Sequence, residues 1–161
     1  MIKPDHLLKY VITPVNEFLG MWSKAADYLV LGTALTESTI NGETWLHQNG
    51  GPAIGPWQME PNTYEDIWKN WLDFNSDVKA KVTSLMCIGG PVKGAEQMRG
   101  NLFFATAMTR ILYRRVKAPL PAYYDIEGLA HYWKKYYNTV LGKGNPEVFV
   151  NRLSKSGVAL V

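Results

Sequence analysis

Apolar residues at the start of the chain recur with the spacing of a helix face: Leu7, Leu8, Val11, Ile12, Val15, Phe18 and Leu19. The spacing predicts an amphipathic helix, kinked or split by Pro14, which has no backbone N–H to give. A second helix is predicted over 23–38. Ser23 is its cap, and its apolar stripe runs through Ala26, Leu29, Val30, Thr33 and Ala34 to end near Glu37. The pattern then breaks. Between 41 and 61 lie Asn41, Gly42, Asn49, Gly50, Gly51, Pro52, Gly55, Pro56 and Pro61, a density of turn residues that no regular helix tolerates. A structured loop with room for a short hairpin is expected.

Helical patterning returns after the loop. Asn62 or Thr63 can cap a helix to about residue 74, and Asn75 or Ser76 can cap another to about residue 87, before a turn at Gly89, Gly90 and Pro91. Over 95–116, Met98, Leu102, Ala105, Met108, Ile111 and Leu112 predict a central buried helix, stopped by Pro119 and Pro121. Asp125 is placed to cap a helix through 137, and Asn145 with Pro146 to start a last one reaching about 155. The elements predict a mainly α fold, a single domain over 1–161 with a short loop or β-hairpin beside a cleft.

Composition narrows the choice. Of 161 residues 47% are hydrophobic and 19% charged, enough apolar side chains to bury a core and far from a disordered composition. The net charge of +3 is spread along the chain; Arg114, Arg115 and Lys117, then Lys134 and Lys135, read as solvated helix faces, so no nucleic-acid partner is expected. A single cysteine, Cys87, excludes an internal disulfide and is expected to be a buried filler. Residues 1–19 are interrupted by Asp5, His6, Lys9, Asn16 and Glu17, unlike a signal peptide, and no window is apolar enough to span a membrane. Synthesis in a cytoplasm without an export signal, and a monomer, are expected. His6, His47 and His131 lack paired metal-ligand spacing, and Gly142-Lys143-Gly144 lacks the rest of a phosphate loop, so neither a metal nor a cofactor is expected.

The residue that carries chemistry is Glu37. Its neighbours three, four and seven positions back are Ala34, Thr33 and Val30, on the face expected to be buried, and no Lys or Arg lies within a helical turn. A desolvated, unpaired carboxyl has a raised pKa, as a general acid requires near neutral pH. A helix-terminal Glu reaching solvent is the other reading of the same position. Ser38 follows it with no base near in sequence, which argues against a serine nucleophile.

Two stretches go further. Ala34-Leu-Thr-Glu37-Ser38, then Gly51-Pro-Ala-Ile-Gly55-Pro-Trp-Gln58-Met-Glu-Pro61-Asn-Thr63, resemble the soluble lytic transglycosylase and goose-type lysozyme superfamily. There a Glu-Ser pair ends a helix, a Gly-Ala-x-Gly-x-x-Gln loop follows, and Pro-x-Thr opens the next helix. Weaker similarity covers 101–110 and 132–144. The chain departs from the pattern at Asn49, at Pro56-Trp57 and in Tyr137-Asn138-Thr139-Val140, where the family has Tyr-Asn-x-Gly. The resemblance implies a lysozyme-like fold with Glu37 as catalytic acid/base. It also places Ser38, Trp57, Gln58, Glu60, Asn101, Tyr137 and Asn138 at the substrate cleft. Of Trp45, Trp57, Trp68, Trp71 and Trp133, Trp57 is the one expected against a sugar ring because it lies in the cleft loop.

Most glycosidases use two carboxylates, roughly 5–5.5 Å apart for retention and about 6.5–9.5 Å for inversion. Glu43, Glu60, Glu65, Asp66 and Asp73 follow in or just after the loop without a pattern that picks one out; Glu60 is the nearest candidate, and binding loop backbone or substrate is its favoured role. With no second acid in the cleft, Glu37 must act twice while the substrate's N-acetyl group stabilises the developing cation. The resemblance implies that version: cleavage of the MurNAc–GlcNAc β-1,4 bond of peptidoglycan glycan strands with a 1,6-anhydro end, with Tyr137 and Gln58 orienting the N-acetyl group or Glu37. A phage endolysin or virion-borne wall-cutting protein is the expected setting. A hydrolytic muramidase and a silent wall-binding module are the alternatives.

Overall fold

Helix α3 (Lys24–Glu37) is the element around which the others are arranged. The computed structural model describes residues 2–40, 43–139 and 141–161. Ser23 accepts the Ala26 N–H at 3.0 Å, capping α3 as its sequence predicts. Ala26 through Leu35 are then buried without a break, so α3 is covered all round and not on one stripe. Its coat is α8 (Pro146–Ser154), α7 (Ile126–Trp133), α6 (Leu102–Arg114) and the N-terminal helices. At the far end Arg152 of α8 donates from one nitrogen to the Leu35 and Thr36 carbonyls, at 2.7 and 3.0 Å. Carbonyls in the last turn of a helix have no partner within it, and this guanidinium supplies one. The turn that carries Glu37 is thereby held.

The N-terminal helix is split as Pro14 requires, but by widening. α1 (Pro4–Leu7) passes into a widened turn, Leu8–Ile12, and then α2 (Thr13–Phe18), with the Thr13 N–H bonded five residues back to Leu8. A widened turn gives the proline ring room and absorbs its missing donor without a sharp kink.

Two predicted helices end early and a third is broken. α4 begins two residues or more sooner than expected, with Glu60 at the cap position in place of Asn62 or Thr63, and runs Pro61–Asn70; Trp71 leaves helical geometry and Leu72–Phe74 forms a tighter turn. α5 (Ser76–Ser84) follows. The expected long helix over 95–116 is a 3₁₀ segment, Gly94–Arg99, then Gly100, then α6. Asn101 starts α6 by accepting the Phe104 N–H at 3.0 Å. α7 and α8 begin at the predicted caps: Asp125 accepts the Gly128 N–H at 2.8 Å and Asn145 the Glu147 N–H at 2.9 Å.

Among the described residues, strand is confined to β1 (Thr39–Ile40) and β2 (Glu43–Thr44), antiparallel with Thr39 opposite Thr44. With 59% of residues helical and 4% in strand, the fold class is mainly α. Cys87 is exposed, contrary to expectation: Gln97, itself buried, accepts its backbone N–H at 2.8 Å and holds the turn outward. Among the described residues no helix is long and apolar enough to cross a membrane.

α3 and α8 touch at Gly32, where an added Cβ would lie 2.2 Å from the Phe149 ring, which is fully buried. Gly32→Ala gains helix propensity of about 1 kcal/mol but must push that ring into a packed core. Net destabilisation of about 1–3 kcal/mol is expected in urea unfolding. Stability equal to the parent's would mean that the ring has somewhere to go.

Candidate active site

Glu37 closes α3 at the floor of a cleft of about 760 Å³. One wall is the loop after β2, carrying Trp45, Gln48, Asn49, Gln58 and Glu60; Thr63 of α4 and Leu112 of α6 extend it; Trp133, Tyr137 and Asn138 also line the cleft, and Thr139 and 141–144 form the rim.

The loop is folded by its own backbone. The Gln48 N–H meets the Ala53 carbonyl at 2.8 Å, the Gly55 N–H meets Leu46 at 3.0 Å, and Ile54 and Met59 exchange two bonds at 3.0 Å. Gly55 sits at φ +77° with the place of its missing Cβ 2.3 Å from the Met98 carbonyl oxygen, so only glycine fits. Gln58 is held at φ 48°, a left-handed conformation that costs a non-glycine residue roughly 1–2 kcal/mol. Its backbone N–H and its side-chain amide both reach the Gly55 carbonyl at 2.9 Å. Two outside bonds anchor the loop. Trp57 donates its indole N–H to the Val30 carbonyl of α3 at 2.9 Å, and Tyr137 donates its hydroxyl to the Trp57 carbonyl at 2.6 Å.

The opposite wall grows from α7. Past Trp133 the helix widens over Lys134–Asn138. Such a turn brings residues five apart to one side, where a regular helix pairs residues three and four apart. Trp133 and Asn138 therefore both reach one Glu37 oxygen: the indole N–H donates at 2.9 Å and the Asn138 amide N–H at 3.4 Å. The Asn138 orientation is fixed by its other end, where Oδ1 accepts from Lys134 Nζ at 2.8 Å and from the Gly144 N–H at 3.0 Å. Lys134 also donates to the Gly142 carbonyl at 2.6 Å. Both glycines are needed for this closure. A Cβ on Gly142 would meet Asn138 at 2.2 Å, and one on Gly144 would meet the Trp133 ring at 2.4 Å.

Burial of the Glu37 carboxyl raises its pKa from the ordinary 4.5; the bonds from Trp133 and Asn138 and the charge of Lys134 oppose the rise without cancelling it. The expected desolvation is present, but the acid is not unpaired. Beneath it, the Tyr137 ring lies 5.5 Å from that of Tyr113, whose hydroxyl is 2.7 Å from Thr33 Oγ. The Tyr137 phenol is pushed upward by burial first and the Glu37 charge second, so it stays neutral.

Of the expected cleft residues, Glu37, Gln58, Glu60, Tyr137 and Asn138 line one cavity. Three do not. Trp57 is 1% exposed and anchors the loop with its indole, leaving Trp45 and Trp133 as the cleft's tryptophans. Ser38 is buried and gives its hydroxyl to the Ala34 carbonyl at 3.0 Å. Asn101 caps α6 and donates to the Leu85 carbonyl at 2.7 Å, away from Glu37. Nor do Tyr137 and Gln58 bond Glu37; Trp133 and Asn138 hold that role. Among the acids after β1, Glu60 alone joins Glu37 in this cleft; Asp66 is paired with Arg115 and Asp73 with Lys79. No protein-family model, curated protein or solved structure matches the chain.

The raised pKa of Glu37 sets a sign for stability. Above the unfolded value of 4.5 and up to the folded value, the native state keeps a proton that the unfolded chain has lost, so stability falls as pH rises through that window. Glu37→Gln removes the dependence. Thermal melts are expected to place the variant above wild type at neutral pH and to bring the two together below about pH 4. A gap of the same size at both pH values would rule the carboxyl out as its cause.

Proposed function

We propose that the chain cleaves the MurNAc–GlcNAc β-1,4 bond of bacterial peptidoglycan as a lytic transglycosylase, with Glu37 as its single acid/base. The observation that carries this reading is a desolvated carboxyl with a raised pKa at the floor of a cleft large enough for sugar rings. The resemblance of 34–63 to the lytic transglycosylase superfamily supplies the substrate.

In this reading Glu37, protonated in the resting site, gives its proton to the glycosidic oxygen as the bond to the anomeric carbon breaks. The neighbouring N-acetyl oxygen bonds to that carbon and takes up its positive charge. Glu37 is then a carboxylate, Trp133 and Asn138 already donate to it and the charge of Lys134 stands behind Asn138, so little reorganisation is needed at the moment of charge formation. It next removes the proton of the muramoyl 6-hydroxyl, whose oxygen displaces the N-acetyl oxygen and closes the 1,6-anhydro ring. The proton returns to Glu37 and no water is consumed. Trp45 offers an apolar face to a sugar ring.

Hydrolysis is the second reading, favoured by Glu60 on the same cleft wall, where an exposed carboxylate can activate water. Product masses separate the two, because a hydrolysed end is heavier by one water; such ends would exclude the transglycosylase. Glu37→Gln is expected to slow the clearing of purified cell walls by at least about 100-fold, the usual contribution of general acid catalysis. Equal clearing by both proteins would remove Glu37 from the mechanism, and clearing by neither would leave a silent wall-binding module.

Trp133→Phe keeps an aromatic ring but loses the indole donor. With less stabilisation of the carboxylate, the Glu37 pKa rises further, and activity, which is lost as the acid deprotonates, should persist to higher pH. Initial rates across pH report this as an upward move of the basic limb. A limb that stays or moves down contradicts the assignment.

A further inference from the structure

The Glu37 cleft does not end at Tyr137. A second pocket, of about 500 Å³, opens on the other side and shares Thr63, Leu112, Tyr137 and Thr139 with the first. The two pockets thus adjoin at Tyr137. The second is lined further by Asn62 and Asp66 of α4, by Arg115 just past α6, and by Tyr136.

Its polar groups are organised around Arg115. Asp66 takes an Arg115 N–H on Oδ2 at 2.6 Å and the Asn70 amide on Oδ1 at 2.6 Å, so both its oxygens are used. Those two bonds hold Asp66 below its ordinary pKa, and the pair stays charged through neutral pH. A guanidinium has five donors in a planar fork. Among the described residues, Asp66 is the one side chain bonded to Arg115, which leaves an oriented set of donors for a ligand. Arg115 and Asp66 are the charged side chains of this lining, so the pocket's attraction for an anion rests on the donors of Arg115 that Asp66 leaves free. A half-exposed Arg–Asp pair contributes little to stability, so the arrangement is not explained by holding the fold.

We propose that this second pocket takes the carboxylate-bearing branch of a muramic acid residue, with Arg115 binding the carboxylate beside the aromatic face of Tyr136. The proposal rests on the peptidoglycan reading for its ligand but not on cleavage. The carboxylate belongs either to the lactyl group itself or to the peptide attached to it. Both are acids on the same arm of the sugar, and the plain N-acetylglucosamine rings of the strand carry neither.

The test uses binding, with Glu37→Gln as the parent so that nothing is consumed. Three soluble probes are titrated by calorimetry: glycan fragments bearing peptides, the same fragments with peptides removed by an amidase, and neutral N-acetylglucosamine oligomers of equal length. Arg115→Gln is compared with Lys93→Gln, which removes the same charge from an exposed site outside both pockets. Arg115→Gln is expected to weaken the carboxylate-bearing probes by on the order of tenfold, the worth of one charge-assisted hydrogen bond, and to leave the neutral oligomers unchanged. Loss with peptide-bearing fragments alone assigns the peptide's carboxylate; loss with the amidase-treated fragments alone assigns the lactyl carboxylate, which is an amide until the peptide is removed; loss with both shows that Arg115 takes either. An equal loss on all three probes, no loss on any, a matching loss from Lys93→Gln, or no binding of any probe by the parent overturns the proposal. Wild type that cuts no wall while the Arg115-dependent binding persists would sink the enzyme reading and leave this pocket standing.

Discussion

A carboxyl can be taken out of water only where something else meets its charge, and the site is built around that requirement. Burial alone would raise the Glu37 pKa further, making the acid a reluctant proton donor and its carboxylate costly to form. Trp133 and Asn138 meet one of its oxygens, and Lys134 stands behind Asn138, so the charged form is penalised without being forbidden. An acid that must act in both directions needs that intermediate setting. Both donors come from one widened turn, and the turn depends in sequence on Gly142 and Gly144, whose missing side chains let the rim fold down on Asn138 and Trp133.

The loop opposite answers to the same helix. Trp57 ties it to the middle of α3 at Val30 while Arg152 ties the end of α3 to α8, and Tyr137 then fastens the loop to the widened turn. The two walls are thus cross-linked by the Tyr137–Trp57 bond, and the indole of Trp57 ties the loop wall to α3. Residues that look from their position like substrate contacts are the fasteners, and the strained Gln58 is the residue they present to the cleft. Strain of this kind persists only where the surroundings over-determine it.

Much of this was legible in the chain. Helix starts at Ser23, Asp125 and Asn145 follow from cap chemistry, which acts over three residues and needs no tertiary partner. Glu37 was found through the burial of its face, and Gln58, Tyr137 and Asn138 through resemblance. What escaped depends on long-range contact or on a departure from the 3.6 period. The widened turn at Lys134–Asn138 leaves no periodic trace, so Trp133 could not be paired with Asn138 or either with Glu37. Gly142 and Gly144 read as an ordinary turn because the approach that demands them comes from residues a few positions back, folded over. The apolar run over 95–116 continues on both sides of Gly100, so its periodicity carries the expected helix through the residue where the structure breaks it. Trp57 was misplaced for the opposite reason: a tryptophan between proline and glutamine in a loop has the same sequence signature whether its ring faces a ligand or a core.

The two acids of the cleft differ in environment more than in chemistry. Glu60 is exposed just before α4, where water screens it, whereas Glu37 is enclosed by an indole, an amide and a helix end. A pair of carboxylates serves two roles when surroundings separate their affinities for a proton. Here only one of the two is enclosed, and the groups around it are donors poised for its charged form. The enclosed acid is therefore equipped for both halves of a proton shuttle, while the exposed one has what is needed to hold water and nothing visible that would hold it against a sugar. Under the transglycosylase reading, the substrate's own N-acetyl group, and not a second buried acid, supplies the remaining stabilisation, which is the division of labour that substrate-assisted chemistry requires.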